Sequence, residues 1–500
     1  MRVSNFHRTA ERVIYPSFSG GLNLSVPPES LGKEELQEAL NVEYSPSSGA
    51  MTVRGGLVWS GRFDAVLDGV LPVTGKRGFL VRHKGTRKVS YFRWNTIWPV
   101  EGKLSGDGEL SVVQWEDEHL VSSGGKLQRF TDEGMPRLET LEGSPSDSRQ
   151  VFVRGGRVGV LSGDDTLKFS AVGDAESWEN DPSDASTGQS VEIGYKDGMK
   201  IDAVVPLSRD LMVFKSRDLM VFKSPSGEAS RGTIYRLTGD YPNWAVLEAA
   251  HNTGTYSPQS VLVIGNEVIY VTPSGIASLR SVMEYGDIKA TWPDRKVSKE
   301  LTPKLSEAAE LWDVPAKEQV WVKPRTGTRE LWILDYPRGI WTRYEFPKEV
   351  LKVLCYETGT YVFIGRDLYK LEDGYTQDGM KETGKAEIEA RLKLGTILSG
   401  NQVLIKKAFA SFGIYPKCEA ELRLGKFRMK FTGGGKVDYI YDAPNDTQYA
   451  SEDDDPLYPD AGTQTARRQC IVRDWSITPE VSIKGGGCWL SMIGLEKVEV

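Results

Sequence analysis

Short apolar runs closed by glycine, proline or asparagine turns recur along most of this chain, and the clearest set lies between Gln259 and Arg280. Val261 to Ile264 forms one run, Gly265-Asn266 turns, Val268 to Val271 runs back, Pro273-Ser274-Gly275 turns again, and Ile276 to Leu279 makes a third. Three short strands joined by tight turns predict an antiparallel meander. A sheet this small needs neighbours of its own kind to bury both faces. From Leu67 to Leu371 the chain supplies them: Val70 to Trp94, Ser111 to Phe130, Gln150 to Phe169, Ile201 to Lys223, Gln259 to Arg280, Gln319 to Phe346 and Val353 to Leu371.

Unit starts fall roughly 30 to 60 residues apart, which brackets the ~40 to 50 of propeller blades. The predicted fold class is all-β, a β-propeller-like ring of meander blades, because ring closure hides strand edges that isolated meanders would expose. A pair of stacked β-sandwiches is the competing architecture. Residues 1–60 read as an N-terminal arm or docking segment, 61–373 as the propeller-like domain with a rim insertion near 283–310, and 385–500 as a β-sandwich-like domain. Alternation at Ile388, Ala390, Leu392 and Leu394 marks one buried face in the last of these. Whether arm and C-terminal domain pack together as one platform stays open.

Two stretches read as helical: Lys33 to Asn41, with Leu36 and Leu40 one turn apart, and Lys299 to Leu311, with Leu301, Leu305 and Ala309 at helical spacing. Gly374 to Lys385 reads as a polar linker, and Asp442 to Ala466 as a loop. The octapeptide Arg209 to Ser216 is repeated letter for letter at Arg217 to Ser224, read most plainly as a duplication that lengthens a blade, although the pair could also fold as a hairpin turning at Lys215 to Asp218.

Composition agrees with strands and turns: among 500 residues are 52 glycines, 25 prolines, 20 tyrosines and 13 tryptophans. A formal net charge of -7 argues against a general basic surface for gripping nucleic acid. Cys355, Cys418, Cys470 and Cys488 form no Cys-x-x-Cys pair and read as reduced, mostly buried thiols. No apolar h-region opens the chain and no run reaches the length of a membrane span, so a cytoplasmic site of synthesis is the expectation.

Candidate chemistry is sparse. His7, His83, His119 and His251 lack partners at ligand spacing and read as surface or turn residues. Gly433-Gly434-Gly435-Lys436 lacks the remainder of a phosphate loop and reads as a turn. Glu452-Asp453-Asp454-Asp455 lacks calcium-loop spacing and reads as a solvated acidic segment. Trp321, Trp332 and Trp341 are the dense aromatic group, read as blade packing rather than a glycan platform. The sequence nominates no catalytic, cofactor-binding or metal-ligating residue, and leaves the interaction surface unassigned.

Three stretches carry a resemblance. Phe18 to Asn23 with Gln37 to Val42 and Met51 to Gly56, then Trp178 to Asp184 followed by Ile193 to Phe214, then Pro258 to Leu279, together resemble the tail nozzle proteins of short-tailed bacteriophages, also called tail tubular protein B or packaged-DNA stabilisation proteins. The resemblance implies a non-enzymatic virion protein, a homo-hexameric ring below the portal and adaptor that retains and then conducts genomic DNA. Portal and adaptor proteins, and tail fibres or spikes, would be its partners, and double-stranded DNA would pass without specific binding. A propeller glycan-binding protein or glycosidase, and a cytoplasmic propeller scaffold, are the rival readings.

Overall fold

The computed structural model describes residues 11–499 apart from 74–77, 95, 195–196, 208, 217–231, 240, 252, 282–287, 357–358, 374, 376, 382–383, 415–417, 434–435 and 442–462. Seven four-stranded meanders succeed one another. Blades 1 to 5 open with the strands Leu67–Val73, Ser111–Trp115, Gln150–Arg154, Lys200–Leu207 and Val261–Ile264, blade 6 with Glu310–Val314 and blade 7 with Lys352–Tyr356. Each of these first strands packs beside the first strand of the next blade, and Lys352–Tyr356 returns to Leu67–Val73, so the ring closes. The fold is a β-propeller whose first strands line the axis.

Closure uses a strand from before the ring. Gly56–Arg62 runs antiparallel to Asp367–Glu372 as the outermost strand of blade 7, tying the first and last blades together. Six blades stand alone as four-stranded sheets, whereas blade 6 continues outward into an 11-stranded sheet. Its last strand, Ile340–Glu345, is bridged in parallel to Glu35–Leu40, which pairs antiparallel with Glu389–Leu394. Beyond follow Pro479–Lys484, Glu419–Leu424, Phe427–Thr432 and Lys436–Tyr441. A second sheet runs Val42–Tyr44, Met51–Val53, Trp489–Glu499, Ile397–Gly413 and Thr463–Ile477, with Glu11–Tyr15 also pairing Trp489–Glu499. Strands from both ends of the chain thus share two facing sheets, hereafter the platform.

Burial follows this plan. Each free interface between blades has its own apolar cluster, such as Leu80, Val89, Tyr91, Val121 and Phe130 between blades 1 and 2. The interface of blades 5 and 6 instead merges with the platform core, through Val271, Leu311, Val322 and Trp332. Propeller and platform therefore share one core.

One guanidinium makes the densest set of bonds at the junction, beside the Glu43 carboxylate, which accepts from Lys317 and from Tyr344 at 2.9 Å. Arg54 is 1% exposed, and its five N–H groups reach Asn41 Oδ1 at 3.1 Å, Gly55 O at 3.0 Å, Glu345 O at 3.0 Å and both Asp378 oxygens at 2.9 and 2.7 Å. Its plane lies over the Phe346 ring, 4.4 Å from the centroid. Asn41, in the left-handed region at φ 55°, also donates to Glu389 O and accepts from the Glu345 amide. Gly55 and Gly56 must be glycine, since a Cβ would sit 2.5 Å from Glu372 O and 2.2 Å from Gln377 O.

Several expectations are corrected. The stretch Lys33 to Asn41 is no helix; Glu35–Leu40 is a strand. Its register shifts between Leu36 and Glu38, so the extra residue places Leu36 and Ala39 on the same buried side three positions apart. A bulge thereby mimics helical spacing. In Lys299 to Leu311 only Ser298–Leu301 is α-helical, followed by a 3-10 turn at Thr302–Lys304 that begins next to Pro303, and Glu310 already starts blade 6. Ile288–Thr291, within the expected rim insertion, is the fourth strand of blade 5. The expected linker holds the hairpin Gln377–Met380 with Gly384–Glu387, and the expected loop ends early because Thr463 opens a strand. The first octapeptide copy is one strand, Asp210–Ser216, paired on both edges by Lys200–Leu207 and Thr233–Thr238, so it makes no hairpin at Lys215. The second copy lies outside the described residues.

Candidate site at the polar mouth of the propeller

Because every blade repeats the same strand direction, the starts of all seven first strands gather at one mouth of the axial channel. Charged and amide side chains crowd these starts: Asp68, Glu109, Arg149, Lys200 with Asp202, Gln259, Glu310 and Lys352, one or more from each blade. Adjacent first strands share no backbone ladder, so side chains bridge them instead. Gln150 of blade 3 donates to Val204 O of blade 4 at 2.7 Å and accepts from its amide at 2.9 Å. Ser111 Oγ serves Val151 of the next blade in the same way, at 3.3 Å.

The densest knot spans blades 2, 5, 6 and 7. Lys352 Nζ donates to Glu310 Oε2 and to Gln259 Oε1, both at 2.8 Å, and Trp312 Nε1 donates to the same Glu310 oxygen at 3.0 Å. From across the axis Glu109 reaches Gln259 as a hydrogen-bond partner. Burial raises the Glu109 carboxyl above its ordinary range, helped by the Glu310 charge and opposed by Lys352. Burial also works to raise Glu310, but the Lys352 ammonium and the Trp312 N–H outweigh it and hold that carboxyl below its ordinary value. One acid is kept towards its neutral form and its neighbour towards its ionised form. Environments that separate two carboxyls in this way suit proton donation beside a carboxylate, and equally a polar plug closing the channel.

A second group sits on the wall of blade 4. Asp202 is the bulged residue where Lys200–Leu207 slips against Asp210–Ser216, and it accepts a short hydrogen bond from Ser216 Oγ. Burial pushes its carboxyl up to about 6, against the pull of Ser216, Lys200 and Arg149. The unfolded chain therefore loses this proton near pH ~4 while the folded chain keeps it to about pH 6. Stability falls by ~2 kcal/mol as pH rises through that window, a figure reduced from the full shift for partial exposure. In Asp202→Asn this slope is expected to vanish, leaving the variant the more stable form at pH ~8; denaturant titrations across pH check it, and an unchanged slope contradicts it.

Sequence reasoning missed every member of this mouth. The available signal was position: Glu109 and Gln259 stand two residues before a first strand, and Glu310 and Lys352 open one. Elsewhere the expectations divide. Trp321, Trp332 and Trp341 are fully buried, with Trp321 Nε1 donating to Gln319 and Trp341 Nε1 to Pro293 O, so none offers a face to a sugar. All four cysteines are free thiols and three are buried. His119 corrects the histidine reading, being 1% exposed inside blade 2, whereas His251 is exposed beside Glu248 and His83 ends a strand against Ser90. His7 and Glu452 to Asp455 lie outside the described residues. Thr432 pairs with Lys436, and Gly434 and Gly435 of the expected turn lie outside the described residues. Among the described residues, no group of three or more His, Cys, Asp or Glu is placed to hold a metal ion, and no helix is long and apolar enough to cross a membrane.

No protein-family model matches the chain, and no curated protein matches it. Solved propellers do. Virginiamycin B lyase from Staphylococcus aureus matches 63% of this chain over 97% of its own length, at 12% identity and a TM-score of 0.39. The WD40 β-propeller domain of Doa1 matches 64% over 96% of its length, at 13% identity and a TM-score of 0.39. The Swd1 propeller domain from Myceliophteria thermophila matches 63% over its full length, at 9% identity and a TM-score of 0.41. At these identities the chain is similar to them in fold alone.

Proposed function

We propose that the protein is a structural subunit of a phage tail, several copies of which form a nozzle below the portal and adaptor that holds the packaged DNA and then conducts it outward. The observation that supports this reading most is the junction at Arg54. Asn41, Met51, Val53 to Gly56, Phe18 and Leu22, all within the first stretch that carries the resemblance, are buried in or beside the seam between propeller and platform. That stretch thus builds the seam that joins propeller and platform, which suits a subunit of a tube wall.

The test is the mass of the purified protein in solution together with negative-stain images, alone and mixed with phage particles that lack the tail tip. Closed rings, in solution or only on the particles, are expected. A monomer that ignores the particles defeats the reading. Glycan binding or hydrolysis at the propeller mouth is a second reading, favoured by the separated carboxyls of Glu109 and Glu310. Loss of oligosaccharide binding or cleavage in Glu109→Gln would support it, and no binding by the native protein would end it.

A further inference from the structure

One described strand edge of the platform and one lobe of the propeller carry opposite charge. Blade 6 is joined to the platform, and blade 3 lies three blades away one way round the ring and four the other, hence on the far side. In blade 3 the segment 171–188 holds Asp174, Glu176, Glu179, Asp181 and Asp184, all exposed, and no lysine or arginine. An exposed apolar side chain, Val172 at 53%, lies within this acidic lobe. Arg129, from blade 2, bridges to Glu176 at 3.0 Å and holds the two blades' rims together.

At the opposite end, both platform sheets run away from blade 6 and finish in outer strands. One of these, Thr463–Ile477, is 15 residues long, and among the described residues only Ile397–Gly413 pairs with it. A free edge of that length is a template for association unless something covers it. The strand carries Arg467, Arg468 and Arg473 against a single acid, Asp474, and its neighbour carries Lys406 and Lys407 with none. Lys406, Arg467 and Arg473 are exposed, Arg467 also pairing with Glu496 at 3.6 Å, and Trp475 projects at 60% exposure with Leu398 at 50% nearby. A large aromatic ringed by charge is the usual anchor of a protein contact.

We infer that the basic outer edge of the platform docks onto the acidic blade 3 lobe of a second copy of this chain, with Trp475 as the apolar anchor. The two surfaces differ and sit at opposite ends, so the contact is heterologous: each copy offers one of each, and repetition builds a ring or an open filament rather than a two-fold dimer. Opposite charge favours this register and opposes edge-to-edge or lobe-to-lobe pairing. The inference stands on charge and shape, and does not need the tail reading.

Its test uses the full chain and two charge-reversed forms, Lys406→Glu/Arg467→Glu/Arg473→Glu at the edge and Glu176→Lys/Glu179→Lys/Asp181→Lys at the lobe, with thermal midpoints confirming that each folds. Sedimentation of the native protein should show association at ~50 mM salt that weakens about tenfold or more by ~500 mM, as screening predicts. Each reversed form alone should remain monomeric, because it presents two surfaces of like sign. An equimolar mixture should associate again, with the two forms alternating. Native monomers at low salt overturn the inference. Assembly of either reversed form at native strength overturns it too; if such rings still form on tail-less particles, the nozzle reading survives while this interface fails.

Discussion

Arg54→Ala is expected to lower the unfolding free energy by about 3–5 kcal/mol, the range for breaking a buried ion pair by removing one partner. Asp378, with its side chain 2% exposed, would keep only the Leu57 amide at 3.1 Å, and its charge would have no counterion in contact. Glu345 O and Asn41 Oδ1 would each lose a donor as well. Arg54→Lys should recover little, since one ammonium cannot meet both Asp378 oxygens in a planar fork while also reaching Asn41. Arg54→Met with Asp378→Leu should recover more than either single change, because exchanging a whole buried pair for apolar groups is often neutral. Urea midpoints of these forms measure this, and a loss under 1 kcal/mol in Arg54→Ala would show that the sheets, the core and contacts such as Lys317 to Glu43 hold the junction without Arg54. The same change should loosen propeller and platform together, seen as faster amide exchange in both Ile340–Glu345 and Glu35–Leu40.

Lys352→Met has the second largest expected effect, about 2–4 kcal/mol at pH ~7. The side chains of Lys352 and Glu310 are 12% and 20% exposed, so removing the ammonium strands a largely buried carboxylate beside Glu109. The sign with pH separates this from simple loss of packing. In the native protein Glu310 lies below its ordinary value, so its contribution is present above the unfolded pKa and fades as pH falls through the folded one. Without Lys352, burial dominates and raises the carboxyl, so the damage should be small near pH ~4 and grow as pH rises towards neutrality. Adding Glu310→Gln to Lys352→Met should restore most of the loss at pH ~7. Damage that is flat with pH would mean that Lys352 acts through its methylenes.

Charge along the chain is less uniform than its total suggests. Residues 442–462 contain Asp442, Asp446, Glu452, Asp453, Asp454, Asp455 and Asp460 and no lysine or arginine, which equals the whole net excess of -7. The remaining residues balance, so any repulsion of DNA by a uniformly acidic wall would have to come from that segment or from local patches such as the blade 3 lobe.

The sequence by itself determined the repeated meanders and the propeller built from them, because turn residues at fixed offsets and short apolar runs are local signals. Gly265, Gly155 and Gly163 each turn the chain at positive φ where such a signal was legible. Strand alternation in Glu389–Leu394 and the burial of the tryptophans were legible for the same reason, as both follow from side-chain character. Helical spacing at Leu36 failed because a bulge and a two-sided sheet outweigh propensity in a six-residue strand. What only the tertiary structure decided is everything that joins distant parts: Gly56–Arg62 closing blade 7, Arg54 meeting Asp378, and the mouth where Glu109, Gln259, Glu310 and Lys352 converge from four blades. Each of these groups is an ordinary polar residue in its own segment. Ring closure sets its partner, its burial and its proton affinity, and none of those is encoded within reach of its neighbours in sequence.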